Sequence, residues 1–219
     1  MITAVLFDWR GILVHDPPHE WWVATALARC GREASTDDVA AVCTGLRAAE
    51  QLPEVRAGEV TCDCSAAEHR AWSFDFFQRA GLDDELAAAL YDLDLDPIAH
   101  NFYPDVAPTF EALHRAGLPI AVVSDIHVDL RPEFRAAGLD QFVDAYVLSY
   151  EHGVQKPDPR MFALALNALG AEAAEALMVG DRASHDGGAV ACGITTLLLP
   201  VVASADEPVG LAQVLRLVS

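Results

Sequence analysis

The sequence predicts an α/β fold with a parallel sheet, helices on both faces of that sheet, and an all-helical insertion after the first strand. Two observations support this fold class. From residue 104 onward, short apolar stretches alternate with helical ones, which is typical of a parallel sheet covered by helices. Between about residues 17 and 95, apolar residues recur only at helical spacing. The first strand is therefore separated from the rest of its sheet by helices.

The N-terminal stretch, residues 2–8, is apolar and β-compatible, and it ends at Asp8 shortly before Gly11. This pattern fits a buried strand that opens into a tight loop. In the insertion, Ser65 is a helix-start signal and Gly81 a stop signal. The predicted helices of the insertion cover residues 21–30, 36–52, 65–80 and 83–93.

The second half of the chain alternates between the two periodicities. Strands are predicted at residues 118–124, 145–148, 176–179 and 194–199. Helices are predicted at residues 104–117, 159–169, 186–192 and 211–217, with another that ends at Gly138. We therefore assign residues 1–14 and 104–219 to a core and residues 15–103 to the helical insertion.

The 219 residues are 53% hydrophobic and 21% charged, which favours one folded α/β unit over wholesale disorder. Fourteen basic and 33 acidic residues give a net charge of −19. Because such a surface repels phosphate backbones and anionic lipids, nucleic acid and membrane partners are disfavoured. A small anionic substrate would need a compensating cation in its site, either a metal ion or a few placed Arg and Lys. The sequence indicates no particular oligomeric state.

Several features favour a reducing, cytoplasmic setting. No apolar run approaches the roughly 20 residues of a membrane helix, and the N-terminus is interpreted as a strand rather than a signal peptide. The five cysteines are an odd number without a regular framework. Cys62 and Cys64 resemble half of a zinc clip, but no second Cys or His pair with suitable spacing completes it.

Polar residues that can carry chemistry follow the ends of predicted strands, where open parallel sheets bind their ligands. They are Asp8, Ser124, Asp125, Lys156, Asp181 and Asp186. Each of these residues alone is weak evidence for an active site. Their order along the chain, together with a helical insertion after the first strand, makes the set a specific indication.

The residue types fit phosphoryl transfer. A carboxylate such as Asp8 can attack phosphorus and form an aspartyl-phosphate, which divides a difficult hydrolysis into two steps. The transferred group carries charge on its equatorial oxygens, so a hydroxyl (Ser124), an ammonium (Lys156) and a divalent cation are suitable neighbours. Mg²⁺ prefers hard oxygen ligands, which Asp8 and Asp181 can supply.

Lys156 is the only lysine in the chain, since the other thirteen basic residues are all Arg. A compact, rotatable ammonium fits between two carboxylates where a planar guanidinium does not. The isolated lysine therefore indicates a position that tolerates Arg poorly.

The motifs resemble those of the haloacid dehalogenase-like superfamily. Residues 7–13 (Phe-Asp-Trp-Arg-Gly-Ile-Leu) are similar to its first motif and Val123-Ser124 to its second. Residues 156–159 (Lys-Pro-Asp-Pro) are similar to the third motif, and residues 179–186 (Val-Gly-Asp-Arg-Ala-Ser-His-Asp) to the fourth. The resemblance spans residues 2–14 and 104–200, and the helical insertion resembles a type-one cap.

This resemblance implies a Rossmann-like core, a mobile cap, bound Mg²⁺ and hydrolysis through an aspartyl intermediate. It implies that Asp8 is the nucleophile, that Ser124 and Lys156, with Asp125 beside them, bind the transferred group, and that Asp181 ligates the metal. It also implies that Asp186 supports the metal or the lysine.

The sequence departs from the phosphatase pattern at Arg10, where that branch has an acidic general acid–base residue. A guanidinium does not deprotonate in proteins, so it cannot act as a base, although the Arg10 backbone carbonyl can still ligate Mg²⁺. His15, His19 and His127 are candidate replacements with a suitable unperturbed pKa. An ion pair between Arg10 and Asp125 would explain both charged residues on structural grounds alone.

Two alternatives to a phosphatase stay open. The first is a dehalogenase, which forms an alkyl ester on Asp8 without metal; the Gly180-Asp181 pair argues against it. The second is a degenerate member that binds a phosphorylated ligand without turning it over. A Schiff-base mechanism of the phosphonate-hydrolase branch is excluded because the helical insertion contains no lysine.

Overall fold

In a computed structural model, which describes residues 1–218, the core is a five-stranded parallel sheet. The strand order is β3-β2-β1-β4-β5. The strands are β1 (Ala4–Phe7), β2 (Ile120–Ser124), β3 (Ala145–Leu148), β4 (Ala176–Gly180) and β5 (Thr195–Leu198). The predicted α/β fold class is confirmed, and the sheet is Rossmann-like.

Ten α-helices are found within residues 1–218. Five lie between β1 and β2: α1 (His19–Arg29), α2 (Thr36–Ala49), α3 (Pro53–Glu59), α4 (Ala66–Arg79) and α5 (Asp84–Asp94). The others are α6 (Val106–Arg115), α7 (Arg131–Ala136), α8 (Ser149–His152), α9 (Pro159–Leu169) and α10 (Ala212–Val218). The insertion is therefore all-helical as predicted, while its assigned limits, residues 15 and 103, stay a prediction.

Strand β1 is central and fully buried because both faces of the sheet are covered. Its side chains alternate between the faces, as the pleat requires. Val5 and Phe7 pack with Phe110 of α6 on one face, while Leu6 packs with Phe162 of α9 on the other. The helical insertion has its own apolar core, which includes Val23, Leu46, Phe76 and Leu90.

Some details of the insertion and core differ from the predicted elements, among them the short helix α8, which was not predicted. Helix α3 was not predicted, although Pro53 occupies its first turn, where proline costs no hydrogen bond. Residues 186–192, predicted as a helix, form a 3-10 helix, Asp186–Cys192. The predicted start at Ser65 is borne out in detail, since its hydroxyl accepts from the Glu68 backbone N–H.

The strand register brings the chemistry-bearing segments together. Phe7 is aligned with Val122 on one side and Val179 on the other. The chain therefore leaves β1, β2 and β4 at the same edge of the sheet, and the residues that follow these strands meet there.

Candidate active site

Lys156 connects two buried carboxylates at this edge. Its Nζ lies 2.6 Å from Asp8 Oδ1 and 2.6 Å from Asp186 Oδ1, and all three side chains are at most 10% exposed. Burial alone would lower the pKa of Lys156, but the neighbouring carboxylates of Asp8, Asp125 and Asp186 raise it above its usual value. The lysine is therefore a fixed positive charge beside Asp8.

The carboxylates outnumber this single cation. Burial raises the pKa of Asp8 to about 7; Lys156 opposes the shift, while Asp186 and Asp181 add to it. Burial and then Asp186 raise the pKa of Asp181 to about 6. Asp181 Oδ1 is buried without a hydrogen-bond partner, and ligand oxygens of Asp8, Asp181 and Asp186 lie within 4.8 Å of one another. Hard, crowded oxygens with one left unpartnered fit a Mg²⁺ ion.

Asp186 holds the loop that carries Asp181. Its Oδ1 accepts from Lys156, and its Oδ2 accepts from the backbone N–H groups of Asp181 (3.1 Å) and Arg182 (3.0 Å). Since both oxygens are engaged, this geometry favours a supporting role for Asp186 over direct metal ligation. The approach requires glycine at position 180, because a Cβ there would lie 2.2 Å from Asp186 Cγ.

Ser124 is the last residue of β2 and Asp125 follows it, and the two differ in their contacts. The Ser124 side chain is buried and lines the same pocket as Asp8 and Lys156. Asp125 Oδ1 accepts from the Lys156 backbone N–H at 2.7 Å, so Asp125 orients the lysine loop. Burial raises the pKa of Asp125 to about 6, with Lys156 opposing.

Arg10 points toward the helical insertion. Its Nη2 donates to Asp94 Oδ1 at 2.9 Å and lies 3.4 Å from His100 Nε2, and the guanidinium stands over the Trp22 ring. The predicted pair between Arg10 and Asp125 is wrong, because the partner in the structure belongs to the end of α5. Arg10 thus connects the loop after β1 to the helical insertion.

We call the cavity around these residues the catalytic pocket; its volume is about 160 Å³. Besides the predicted residues Asp8, Arg10, Ser124, Asp125, Lys156 and Asp181, its lining includes Asp16, Asp63, His69, Asp94, His127, Arg182 and His185. Asp63, His69 and Asp94 come from the helical insertion and were missed. They follow no strand and form no motif, so only the tertiary fold brings them to the sheet edge.

The three histidines proposed as replacement acids differ in position. His15 Nδ1 lies 3.4 Å from the Tyr103 hydroxyl, and His19 Nε2 lies 3.3 Å from Glu50. His127 lines the catalytic pocket and stacks on His69. Of the three, His127 is the one that lines this pocket, and its role as an acid stays a prediction.

A second cavity of about 420 Å³ shares Arg10, His69 and Asp94 with the catalytic pocket. We call it the aromatic cavity. Its apolar lining comes from the helical insertion and includes Trp22, Trp72, Phe76, Phe77, Leu90 and Tyr91. The two cavities together offer a polar end at the sheet edge and an apolar end in the insertion.

Within residues 1–218, no helix combines the length and the apolar character needed to cross a membrane. Two relatives of this chain are named as enzymes of different kinds. A ribulose-1,5-bisphosphate 5-phosphatase of Halopiger xanaduensis is 30% identical over 211 residues, covering 90% of this chain and 84% of that protein. The (S)-2-haloacid dehalogenase 4A of Burkholderia cepacia is 32% identical over 120 residues, 54% of this chain and 49% of that protein.

The fold is also that of solved relatives. The crystal structure of the L-2-haloacid dehalogenase RSc1362 matches with a TM-score of 0.69 at 21% identity, over 99% of this chain and 98% of that chain. The family model for haloacid dehalogenase-like hydrolases matches residues 2–193. The predicted resemblance is thus confirmed: the chain belongs to the haloacid dehalogenase-like hydrolases.

Proposed function

We propose that this hydrolase is a Mg²⁺-dependent phosphatase that acts on a small phosphorylated metabolite through an aspartyl intermediate at Asp8. The observation that carries the proposal is the buried Asp8–Lys156–Asp186 arrangement next to the unpartnered oxygen of Asp181. An unpaired buried carboxylate oxygen beside two further acids is an unfavourable arrangement until a cation joins it. A phosphatase of this family would use such a cation, whereas the dehalogenase reaction needs none.

In the first step, a carboxylate oxygen of Asp8 attacks phosphorus, and the bond between phosphorus and the leaving-group oxygen breaks. Lys156 holds its positive charge within 2.6 Å of Asp8, which lets the anionic carboxylate and phosphoryl group approach each other. The Ser124 hydroxyl, at the buried end of β2, is suited to donate to a phosphoryl oxygen. Asp8, Asp181 and the Arg10 carbonyl would hold Mg²⁺, which supplies positive charge to the equatorial oxygens when bound.

In the second step, water attacks phosphorus of the aspartyl-phosphate, releasing phosphate and the Asp8 carboxylate. Both steps benefit from an acid–base group, which typically contributes about 10²–10⁴-fold in rate. Arg10 cannot take that part because it stays charged. We therefore propose slow turnover with generic phosphate esters.

The substrate is proposed to place its phosphate at Asp8 and its organic group toward the aromatic cavity. The polar catalytic pocket and that apolar space share Arg10, His69 and Asp94 in their linings. A small metabolite with one charged end suits this division. The five unpaired cysteines support a reducing compartment such as the cytoplasm.

The decisive experiment is a screen of phosphorylated metabolites at saturating Mg²⁺ that measures phosphate release. Wild type should release phosphate from at least one metabolite, and Asp8→Asn should release none. Release that survives in Asp8→Asn would exclude Asp8 as the nucleophile. Beryllofluoride with Mg²⁺ should bind wild type but neither Asp8→Asn nor Lys156→Ala.

The second candidate is 2-haloacid dehalogenation, which the similarity to the Burkholderia dehalogenase supports. There, Asp8 displaces halide from carbon and water hydrolyses the resulting ester. Halide release from a 2-haloacid in EDTA would favour this reaction over the phosphatase. Tight binding of a phosphorylated ligand without any product would instead favour the non-enzymatic alternative.

A further inference from the structure

Four residues form a compact polar group where the helical insertion meets the core, and we call it the histidine cluster. Asp63 lies in the 3-10 helix Cys62–Cys64, His69 on α4 and Asp94 at the end of α5, while His127 follows β2. The two imidazole rings stack face to face, with centroids 3.4 Å apart and planes 8° from parallel. Three members therefore come from the insertion and one from the core.

Both rings lie between the same two carboxylates. The Nδ1 atoms face Asp63 Oδ1, at 2.8 Å from His69 and 3.6 Å from His127. The Nε2 atoms face Asp94 Oδ2, at 3.5 Å from His69 and 3.8 Å from His127. The His127 side chain is 2% exposed, and neither of its ring nitrogens has a hydrogen-bond partner. A buried ring with two unsatisfied nitrogens needs a partner.

The distances from the two Nε2 atoms to Asp94 Oδ2 are closer to those between ligands of one metal ion than to those of hydrogen bonds. Distances of 3.5 and 3.8 Å to Asp94 Oδ2 exceed those of good hydrogen bonds. Two ligand atoms on one tetrahedral zinc ion lie about 3.3 Å apart when the bonds are about 2.0–2.1 Å. We propose that His69, His127 and Asp94 bind a first-row transition metal such as Zn²⁺.

The surroundings match what such ligands require. A metal-bound histidine usually donates its other ring N–H to a carboxylate, which fixes the tautomer, and Asp63 stands at the Nδ1 side of both rings. Asp94 Oδ1 accepts from Arg10, which leaves Oδ2 for the metal. A metal lies in the plane of each imidazole that binds it, so shared ligation requires at least one of the two stacked rings to turn.

This site differs from the one at Asp8 in chemistry and in position. Imidazole nitrogens select zinc, cobalt or nickel, whereas the all-oxygen site at Asp8 and Asp181 suits Mg²⁺. The three ligands leave a fourth position toward the catalytic pocket, which His69, Asp94 and His127 all line. Because two ligands belong to the insertion and one to the core, the metal would hold the insertion against the sheet edge. The inference does not depend on the proposed phosphatase activity.

Cobalt titration of tag-free, EDTA-dialysed protein tests the proposal. Tetrahedral Co²⁺ with imidazole ligands absorbs much more strongly in the visible range than Co²⁺ in an octahedral oxygen site. Wild type should develop this absorption up to one equivalent of Co²⁺, and Zn²⁺ should displace it. Asp181→Asn, which alters the site at Asp8, should leave the absorption intact, as should His152→Gln, which changes an exposed histidine on α8.

His69→Gln and His127→Gln should each weaken Co²⁺ binding by more than about tenfold, since losing even a residue that supports a ligand weakens metal sites by about 10- to 100-fold. Circular dichroism in EDTA establishes that each variant is folded. No strong absorption in wild type, or equal absorption in both folded variants, would overturn the proposal. X-ray absorption of Zn²⁺-loaded wild type tests it without variants: two imidazole ligands support it, and an all-oxygen shell overturns it.

Discussion

At the scale of single residues, Lys156 is the side chain on which the charge balance of the site depends. It is the only cation within hydrogen-bonding distance of Asp8 and Asp186 among the described residues. Lys156→Met should lower the free energy of unfolding by about 3–5 kcal/mol without metal, because it leaves buried carboxylates unpaired. Urea unfolding measures this loss.

Lys156→Arg is the matched variant, since it keeps the charge and changes the shape. A guanidinium cannot donate from one point to two carboxylates in the space of an ammonium, so activity should fall although less stability is lost. Equal stability of wild type and Lys156→Met would contradict a stabilising role for the ion pairs of Lys156 with Asp8 and Asp186.

In the proposed phosphatase, Arg10 stands where the general acid would be, but its guanidinium donates to Asp94. Arg10→Asp alone would supply an acid and also remove this contact, setting two carboxylates near each other. The variant Arg10→Asp in an Asp94→Asn background should therefore turn over a phosphate ester about tenfold or more faster than Asp94→Asn alone, at saturating Mg²⁺. Steady-state kinetics measures the ratio, and unchanged kcat would show that position 10 does not reach the leaving group.

The site residues that the sequence predicted share one property: each lies at the end of a strand or in the segment after it. Asp8, Ser124, Lys156 and Asp181 all line the catalytic pocket, because parallel strands deliver their next residues to one edge. His69 and Asp94 lie within amphipathic helices, where polar residues are expected on the exposed side. Nothing local distinguishes them from solvated residues, so they required the tertiary fold.

At the scale of elements, the pair between Arg10 and Asp94 tethers the end of α5 to the loop after β1. Its side chains are 29% and 20% exposed, so solvent screens it only in part. A double-mutant cycle with Arg10→Met and Asp94→Asn should give a coupling free energy of about 1 kcal/mol in urea unfolding. Arg32→Met with Asp83→Asn, an exposed pair inside the insertion, should give a smaller coupling. The reverse order would argue against a tether.

Where α2 packs against the end of α4, steric contact and helix propensity have opposite effects on the stability of Gly45→Ala. Gly-to-Ala changes in a helix interior normally stabilise by up to about 1 kcal/mol. A Cβ at Gly45 would instead lie 2.4 Å from the Ala80 backbone oxygen. Gly45→Ala should therefore destabilise by about 1–3 kcal/mol.

Thermal unfolding compares Gly45→Ala with Ala41→Gly, at an exposed position of the same helix. Ala41→Gly should lower stability by about 1 kcal/mol through propensity alone. If propensity also governed position 45, Gly45→Ala would raise stability instead of lowering it.

The same distinction explains how far the elements could be predicted. Periodicity is local, so the alternation after residue 104 predicted the strands and helices of the core. Strand order does not follow from local periodicity. The side chains of β1 are apolar on both faces, which predicts a central strand. No pattern in the sequence predicts that its neighbours in the sheet are β2 and β4. Helix α3 was missed because seven residues, Pro53–Glu59, are too few to display a period.

At the scale of the whole molecule, polar contacts join the helical insertion to the core near the site. Ser149 Oγ donates to the Asp63 carbonyl at 2.6 Å, and Gln155 Nε2 donates to the Glu59 carbonyl at 2.8 Å. Arg182 pairs with Glu59 at 3.1 Å. Water can replace contacts of this kind at small net cost, whereas the apolar cores on either side stay intact. An interface of this kind can open without disrupting either apolar core.

The net charge of −19 makes any cation stabilising to some degree, so a specific Mg²⁺ effect must be separated from screening. Mg²⁺ should raise the Tm of wild type more than NaCl at equal ionic strength, because the proposed site beside Asp8 and Asp181 would also bind it. At about 100 times its dissociation constant the gain is about 2.7 kcal/mol. Differential scanning calorimetry measures both increments.

Asp181→Ala should lose the Mg²⁺-specific increment while keeping the NaCl increment. Without metal it should melt above wild type, because it removes a half-buried carboxylate whose Oδ1 has no partner and whose neighbours are acidic. Asp206→Ala removes an exposed carboxylate that is distant from Asp181 in the sequence. This variant should keep both the Mg²⁺ and the NaCl increments. If Asp181→Ala instead gained as much from Mg²⁺ as wild type, the ion would be acting through the overall charge of the protein, and the metal site at Asp8 would have to be abandoned.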